Sequence, residues 1–68
     1  MDEKKYKRLV DRLNELSVLN ANIGRLAFYM NNNHNRMVGV EGKDMTDQLD
    51  AMCNYRAVLE RRIIKGIY

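Results

Sequence analysis

A chain of 68 residues and 8.0 kDa holds one small domain. It carries 12 Lys and Arg against 9 Asp and Glu, for a net charge of +3, with no Pro, no Trp and a single Cys. One Cys excludes an internal disulfide. No run approaches the ~18 apolar residues of a membrane span, and no basic start leads into the short apolar core of a signal peptide. A reduced, cytoplasmic setting is therefore the expectation. Size adds a second one: a core of fewer than ~70 residues rarely supplies more than ~3–5 kcal/mol. With neither disulfide nor metal cluster to help, self-association or a partner is the expected reinforcement.

In the first half, Tyr6, Leu9, Leu13, Leu16, Asn20, Ile23, Ala27 and Met30 recur in alternating steps of three and four. This spacing predicts a helix over about 3–31 with one apolar stripe. Asp2 and Glu3 suit its positive N-terminus. The run Asn31, Asn32, Asn33 ends it, because Asn favours caps and turns over helix interiors. A connection over about 32–42 follows, with Met37, Val38 and Val40 expected to pack it over the tip.

The second helix is predicted over about 43–65, with Met45, Leu49, Met52, Arg56, Leu59 and Ile63 as its stripe. Asp44, Asp47 and Asp50 near its start and Arg61, Arg62 and Lys65 near its end both favour the helix dipole. Gly66 is the candidate C-cap. The fold class is all-α: one antiparallel helical hairpin spanning 1–68.

Neither helix is apolar on one stripe alone. Leu19, Leu26 and Tyr29 flank the first, and Cys53, Ala57, Ile64 and Ile67 add a face to the second. A hairpin buries only its facing seams, so a homo-oligomeric helical bundle is expected. Its interface residues would be Leu19, Asn20, Leu26, Tyr29, Met52 and Leu59. Asn20, a polar residue in an apolar stripe, is of the kind that fixes register or oligomeric state.

Catalytic and metal chemistry is sparse. His34 is the only His, set among Asn residues and read as a solvated loop residue, and Cys53 reads as a small hydrophobe on a helix face. No phosphate loop, nucleophile elbow or zinc spacing is present in the sequence. Asp44, Asp47 and Asp50 read as a dipole-favoured first turn rather than a cation site. The chain is expected to be no enzyme and to need no cofactor or metal.

The charge is unevenly spread. Residues 1–12 carry +2, residues 55–68 carry +3 and residues 13–54 carry −2. A hairpin brings both termini to one end, which is therefore strongly basic. Lys4, Lys5 and Lys7 lie in the first turns, where cations oppose the dipole. Three readings account for them: an anionic ligand held by cations such as Lys5 and Arg8 with Tyr6 or Tyr55 for a stacked base, the acidic tip of a neighbouring protomer, or a solvated face. A net charge of +3 without a recognition-helix motif makes duplex nucleic acid a poor partner.

The most distinctive string runs from Asp47 to Ile63. There Gln48, Leu49, Ala51, Met52, Tyr55, Leu59, Arg62 and Ile63 match the pattern Gln-Leu-x-Ala-Met-x-x-Tyr-x-x-x-Leu-x-x-Arg-Ile. The chain thereby resembles a family of very short hairpin proteins of tailed phages, crAss-like phages included. Leu16, Leu19, Ile23, Leu26 and Phe28 are similar to that family's first helix more loosely, while Asn22 and Arg25 stand where the family tends to have Lys. The resemblance implies a phage accessory protein in the host cytoplasm. It also implies a nucleotide sponge, an oligomer that holds cyclic di- or trinucleotide messengers of host immunity, of the CBASS or Thoeris kind, without degrading them. On that reading Tyr55 stacks on a base, Arg62 or Arg25 pairs with phosphate and Gln48 reads a base edge. Alternatively Gln48 and Tyr55 border the seam and Arg62 makes a surface ion pair. A small interaction module that inhibits or redirects a host protein is the other functional expectation.

Overall fold

The computed structural model describes residues 2–33 and 39–68. The expectations for His34, Met37 and Val38 lie outside them. Two helices, α1 (Glu3–Asn32) and α2 (Gly39–Lys65), pack side by side as a hairpin. The molecule is a rod 51 Å long and 15 by 13 Å across, close to the ~45 Å that a 30-residue helix spans at ~1.5 Å per residue.

The helix ends follow local chemistry. The Asp2 side chain accepts from the Lys5 amide at 2.8 Å, and its carbonyl accepts from the Tyr6 amide at 3.0 Å. Asp2 is thus the N-cap, and Glu3 supplies the acidic residue of the first turn. At the other end, Asn32 and Asn33 donate from their side-chain amides to the carbonyls of Phe28 and Tyr29, both at 2.9 Å. The Tyr29 carbonyl is one of the last four of the helix, which lack an intrahelical partner, and takes the Asn33 amide instead; the Phe28 carbonyl, the i−4 acceptor of the Asn32 backbone amide, accepts the Asn32 side chain as well. The asparagine run is therefore a capping device.

At the end of α2, the Gly66 amide donates to Ile63 at 3.2 Å and the Ile67 amide to Arg62 at 2.8 Å, with Gly66 at φ +72°. This is the paired pattern of a Schellman cap. A Cβ at Gly66 would meet only the Tyr68 hydroxyl at 3.9 Å, an ordinary contact. Gly66→Ala is therefore expected to cost about 1 kcal/mol from the left-handed backbone alone, measurable as a shift in the urea midpoint with unchanged slope. The second helix begins at Gly39, earlier than its expected start near 43. Gly42 is buried on the same line as Met45 and Leu49 and belongs to the packed face. Val40 is 78% exposed and does not pack down over the tip as expected.

The seam contains one correction. On α2 the expected stripe is the packed one: Met45, Leu49, Met52, Arg56 and Ile63 are half-buried and Leu59 has no exposed surface. On α1 the stripe turns. Leu9, Leu16, Ile23 and Met30 are on it as expected, but the intervening positions are Arg12, Leu19 and Leu26. Tyr6, Leu13, Asn20 and Ala27 are exposed instead. Both flanks satisfy the same spacing. The turn puts Leu19 and Leu26 on the seam in place of Asn20 and Ala27 and leaves Leu13, beside Arg12, exposed; each half-buried leucine contributes part of the roughly 1.5–3 kcal/mol of a fully buried one. Arg12 fits the seam by laying its aliphatic stem along it, with its Nε 3.3 Å from Glu15.

Several residues expected between copies are thus used within the hairpin. Leu59 offers no surface to a second copy, and Leu19, Leu26, Tyr29 and Met52 are half-buried. Asn20 accepts from Arg56 Nη1 at 3.4 Å across the hairpin, and Arg56 also lies 3.8 Å from Glu60.

Candidate functional site

Two grooves are shaped by these packing choices. The first lies at the shared terminal end and has a volume of about 530 Å³. The first turns of α1 line it with Asp2, Glu3, Lys4, Lys5 and Arg8, and the capped end of α2 closes it with Gly66 and Tyr68. Asp2 is engaged in capping α1, which leaves Lys4, Lys5 and Arg8, opposed by the single carboxylate of Glu3, and the Tyr68 phenol to face a ligand. The Schellman turn positions Tyr68: it reverses the chain after Lys65 and carries the last residues back over the start of α1. Arg62 reinforces this turn by donating from Nε to the Ile67 carbonyl at 3.2 Å.

The second groove, about 430 Å³, runs along one side of the hairpin between Asn14, Glu15, Val18, Leu19, Asn22 and Tyr55. Tyr55 donates its hydroxyl to the Glu15 carboxylate, which joins the two helices. Arg25 donates to Asn22 at 2.9 Å and so is held one turn beyond the groove. Hydrogen bonding to the Glu15 carboxylate, with lesser help from desolvation and the carboxylate's charge, raises the Tyr55 pKa above its usual value near 10. The folded state thus favours protonated Tyr55. That contribution to stability is complete below pH 10 and is lost as pH rises through the raised value. In an ultraviolet pH titration, Tyr55→Phe should remove a component that ionises above the usual tyrosine value near 10.

The residues expected to form one ligand site therefore divide. Lys5 and Arg8 line the terminal groove, and Tyr55 lines the side groove with Arg25 nearby. Arg62 is half-buried and holds the C-terminal turn. Tyr6 is 60% exposed and lines neither groove, and Gln48 is exposed on α2. Lys4 was expected among the cations of the first turns; Tyr68 at the end and Asn14, Val18 and Asn22 at the side were not expected. The last three recur every four residues, a spacing that signals one helical face.

Among the described residues, no group of three or more His, Cys, Asp or Glu is placed to hold a metal ion. No described helix is long and apolar enough to cross a membrane. Both groove volumes fall in the ~300–1,000 Å³ range of small-molecule sites.

Fold and grooves together define a small all-helical hairpin with a basic recess at its terminal end. The chain belongs to the Sequestin family, whose sequence model matches residues 3–65. The family's name points to a sequestering protein. No curated protein and no solved structure matches the chain.

Proposed function

We propose that this chain is a phage-encoded, non-catalytic immune-evasion protein that self-associates in the host cytoplasm and sequesters cyclic oligonucleotide second messengers. The observation that carries the proposal is the terminal groove, where Lys4, Lys5 and Arg8 meet Tyr68 in a recess of about 530 Å³. Phosphates need charge-assisted donors, which Lys and Arg supply, and a nucleobase needs an aromatic face. Sequestration asks for tight, reversible binding and no positioned nucleophile or base. The family's name supports the same reading.

A thermal-shift panel of cyclic di- and trinucleotides, with linear nucleotides as controls, tests the ligand class. A ligand that binds only the folded state stabilises it by about 2.7 kcal/mol at 100 times its Kd. For a domain this small, that is an upward shift of roughly 10 °C or more. A shift with linear nucleotides alone would replace the ligand class. No shift with any nucleotide, together with recovery of one host protein in a pull-down, would favour an inhibitory interaction module. The exposure of Ile64 at 83% and Phe28 at 72% supports that second reading.

A further inference from the structure

The turn of the α1 stripe leaves a second line along that helix without a partner. Tyr6, Val10, Leu13, Ser17, Gly24 and Ala27 fall on it at helical spacing, with Asn20 at its edge. All are exposed except Val10, which is half-buried. No charged residue lies on this line, although 31% of the chain is charged. The Asn20–Arg56 bond marks this side of the hairpin, and the Glu15–Tyr55 bond marks the other.

We propose that this uncharged line is where a second copy of the chain docks, with the two α1 helices antiparallel. This rests on the self-association proposed above and assigns it a face and an orientation. The 51 Å rod exposes 5247 Å², about 800 Å² more than a compact fold of 8.0 kDa, so the hairpin as a whole keeps surface that a second copy can cover.

Side-chain size argues for the orientation. The large residues of the line, Tyr6, Val10 and Leu13, lie in the first half of α1, and the small ones lie in the second half. Antiparallel pairing about Ser17 sets Tyr6 of one copy against Ala27 of the other, Val10 against Gly24 and Leu13 against Asn20. Each large side chain then meets a small one, the interdigitation that close packing requires. Parallel pairing would set Tyr6 on Tyr6 and leave a gap at Gly24. Glycine is a poor residue for a helix interior, and a Cβ at Gly24 would meet nothing within 4 Å in the single hairpin. The hairpin itself therefore has no use for this glycine, whereas a close-approaching second helix does. Charge agrees: antiparallel copies place the basic terminal end of one beside the Asp44 and Asp47 end of the other, and parallel copies place the two basic ends together.

Sedimentation velocity of the full chain over a range of concentrations tests the proposal without any ligand. Wild type is expected at twice the chain mass. Val10→Glu and Gly24→Arg should each weaken association at least about tenfold, because each buries an unpaired charge. Gly24→Arg lies in open space in the single hairpin, so retained helicity by circular dichroism separates lost docking from lost folding. Combining both substitutions in one chain should restore association, since antiparallel pairing faces position 10 with position 24 in both directions. Wild-type association with unaffected single variants would place the interface on another face and overturn the proposal, while self-association stands. Failure of the combined variant to recover would overturn the antiparallel alignment. A wild-type monomer at every concentration would overturn self-association itself.

Discussion

Leu59→Ala is expected to abolish the cooperative fold of the hairpin at ordinary protein concentrations. Leu59 is the only fully buried large side chain among the described residues, and Ile23, at 8% exposure, is its one companion in the core. Truncating a fully buried leucine costs about 2–5 kcal/mol, part of it lost transfer energy and part the cavity left behind. A single core of this size supplies only ~3–5 kcal/mol in total. The substitution therefore removes most of the stability, and helical circular dichroism should fall sharply at 25 °C. Ile64→Ala is the matched control: the same kind of truncation on α2, at a residue 83% exposed, should stay within about 0.5 kcal/mol of wild type. Both must be compared at equal chain concentration, because association stabilises the folded state by mass action. Equal effects of the two substitutions would mean that the packed seam is not where the stability resides.

The double charge reversal Lys5→Glu with Arg8→Glu is expected to remove anionic-ligand binding while leaving the fold intact. Both side chains are exposed and line the terminal groove. Each charge-assisted hydrogen bond contributes about 1.5–3 kcal/mol, and reversal adds repulsion between the groove and a phosphate. Affinity for a phosphate-bearing ligand should fall at least about 100-fold. Folding should not suffer, because position 5 lies in the first turn, where the dipole favours a carboxylate over a lysine, and position 8 is exposed. Lost binding with an unchanged or raised melting temperature therefore isolates the groove's role. Retained binding would move the ligand to the side groove, where Tyr55→Ala becomes the decisive variant.

How far these properties were readable in the sequence differs between the two helices. On α2 the stripe expected from the spacing is the packed one, and the apolar residues off it, Val40, Val58 and Ile64, stay exposed. On α1, Leu9, Leu16, Ile23 and Met30 fix the axis of the seam, yet apolar residues flank it on both sides. Which flank turns inward depends on the fit against Leu59 and its neighbours, a tertiary fact that one helix's spacing does not contain. The start of α1 was legible from the charges of Asp2 and Glu3, and the cap at Gly66 from its residue type, because both are local effects. The start of α2 was not, since Gly39 and Gly42 look like breakers, whereas the first opens the helix at φ +71° and the second is buried in it. That Lys5 and Arg8 line a groove at the terminal end was legible because a hairpin must bring the two basic termini together. Tyr68 joins them only through the reversal at Gly66, and the Glu15–Tyr55 bond spans forty residues of sequence. Arg62 lines neither groove for a local reason: its Nε donates to the Ile67 carbonyl in the turn that follows its own helix.

Sequestration makes a sharper demand than binding alone, because the captured molecule must come back unchanged. The direct test is to incubate the chain with an excess of the cyclic dinucleotide that gives the largest thermal shift, remove free ligand, and denature the protein. Released nucleotide is then quantified by mass spectrometry. Sequestration predicts recovery of the intact cyclic dinucleotide in fixed proportion to protein, with no cleavage product after prolonged incubation. Recovery of a linearised or otherwise altered nucleotide, or of none above the level held by the Lys5→Glu, Arg8→Glu variant, would contradict it.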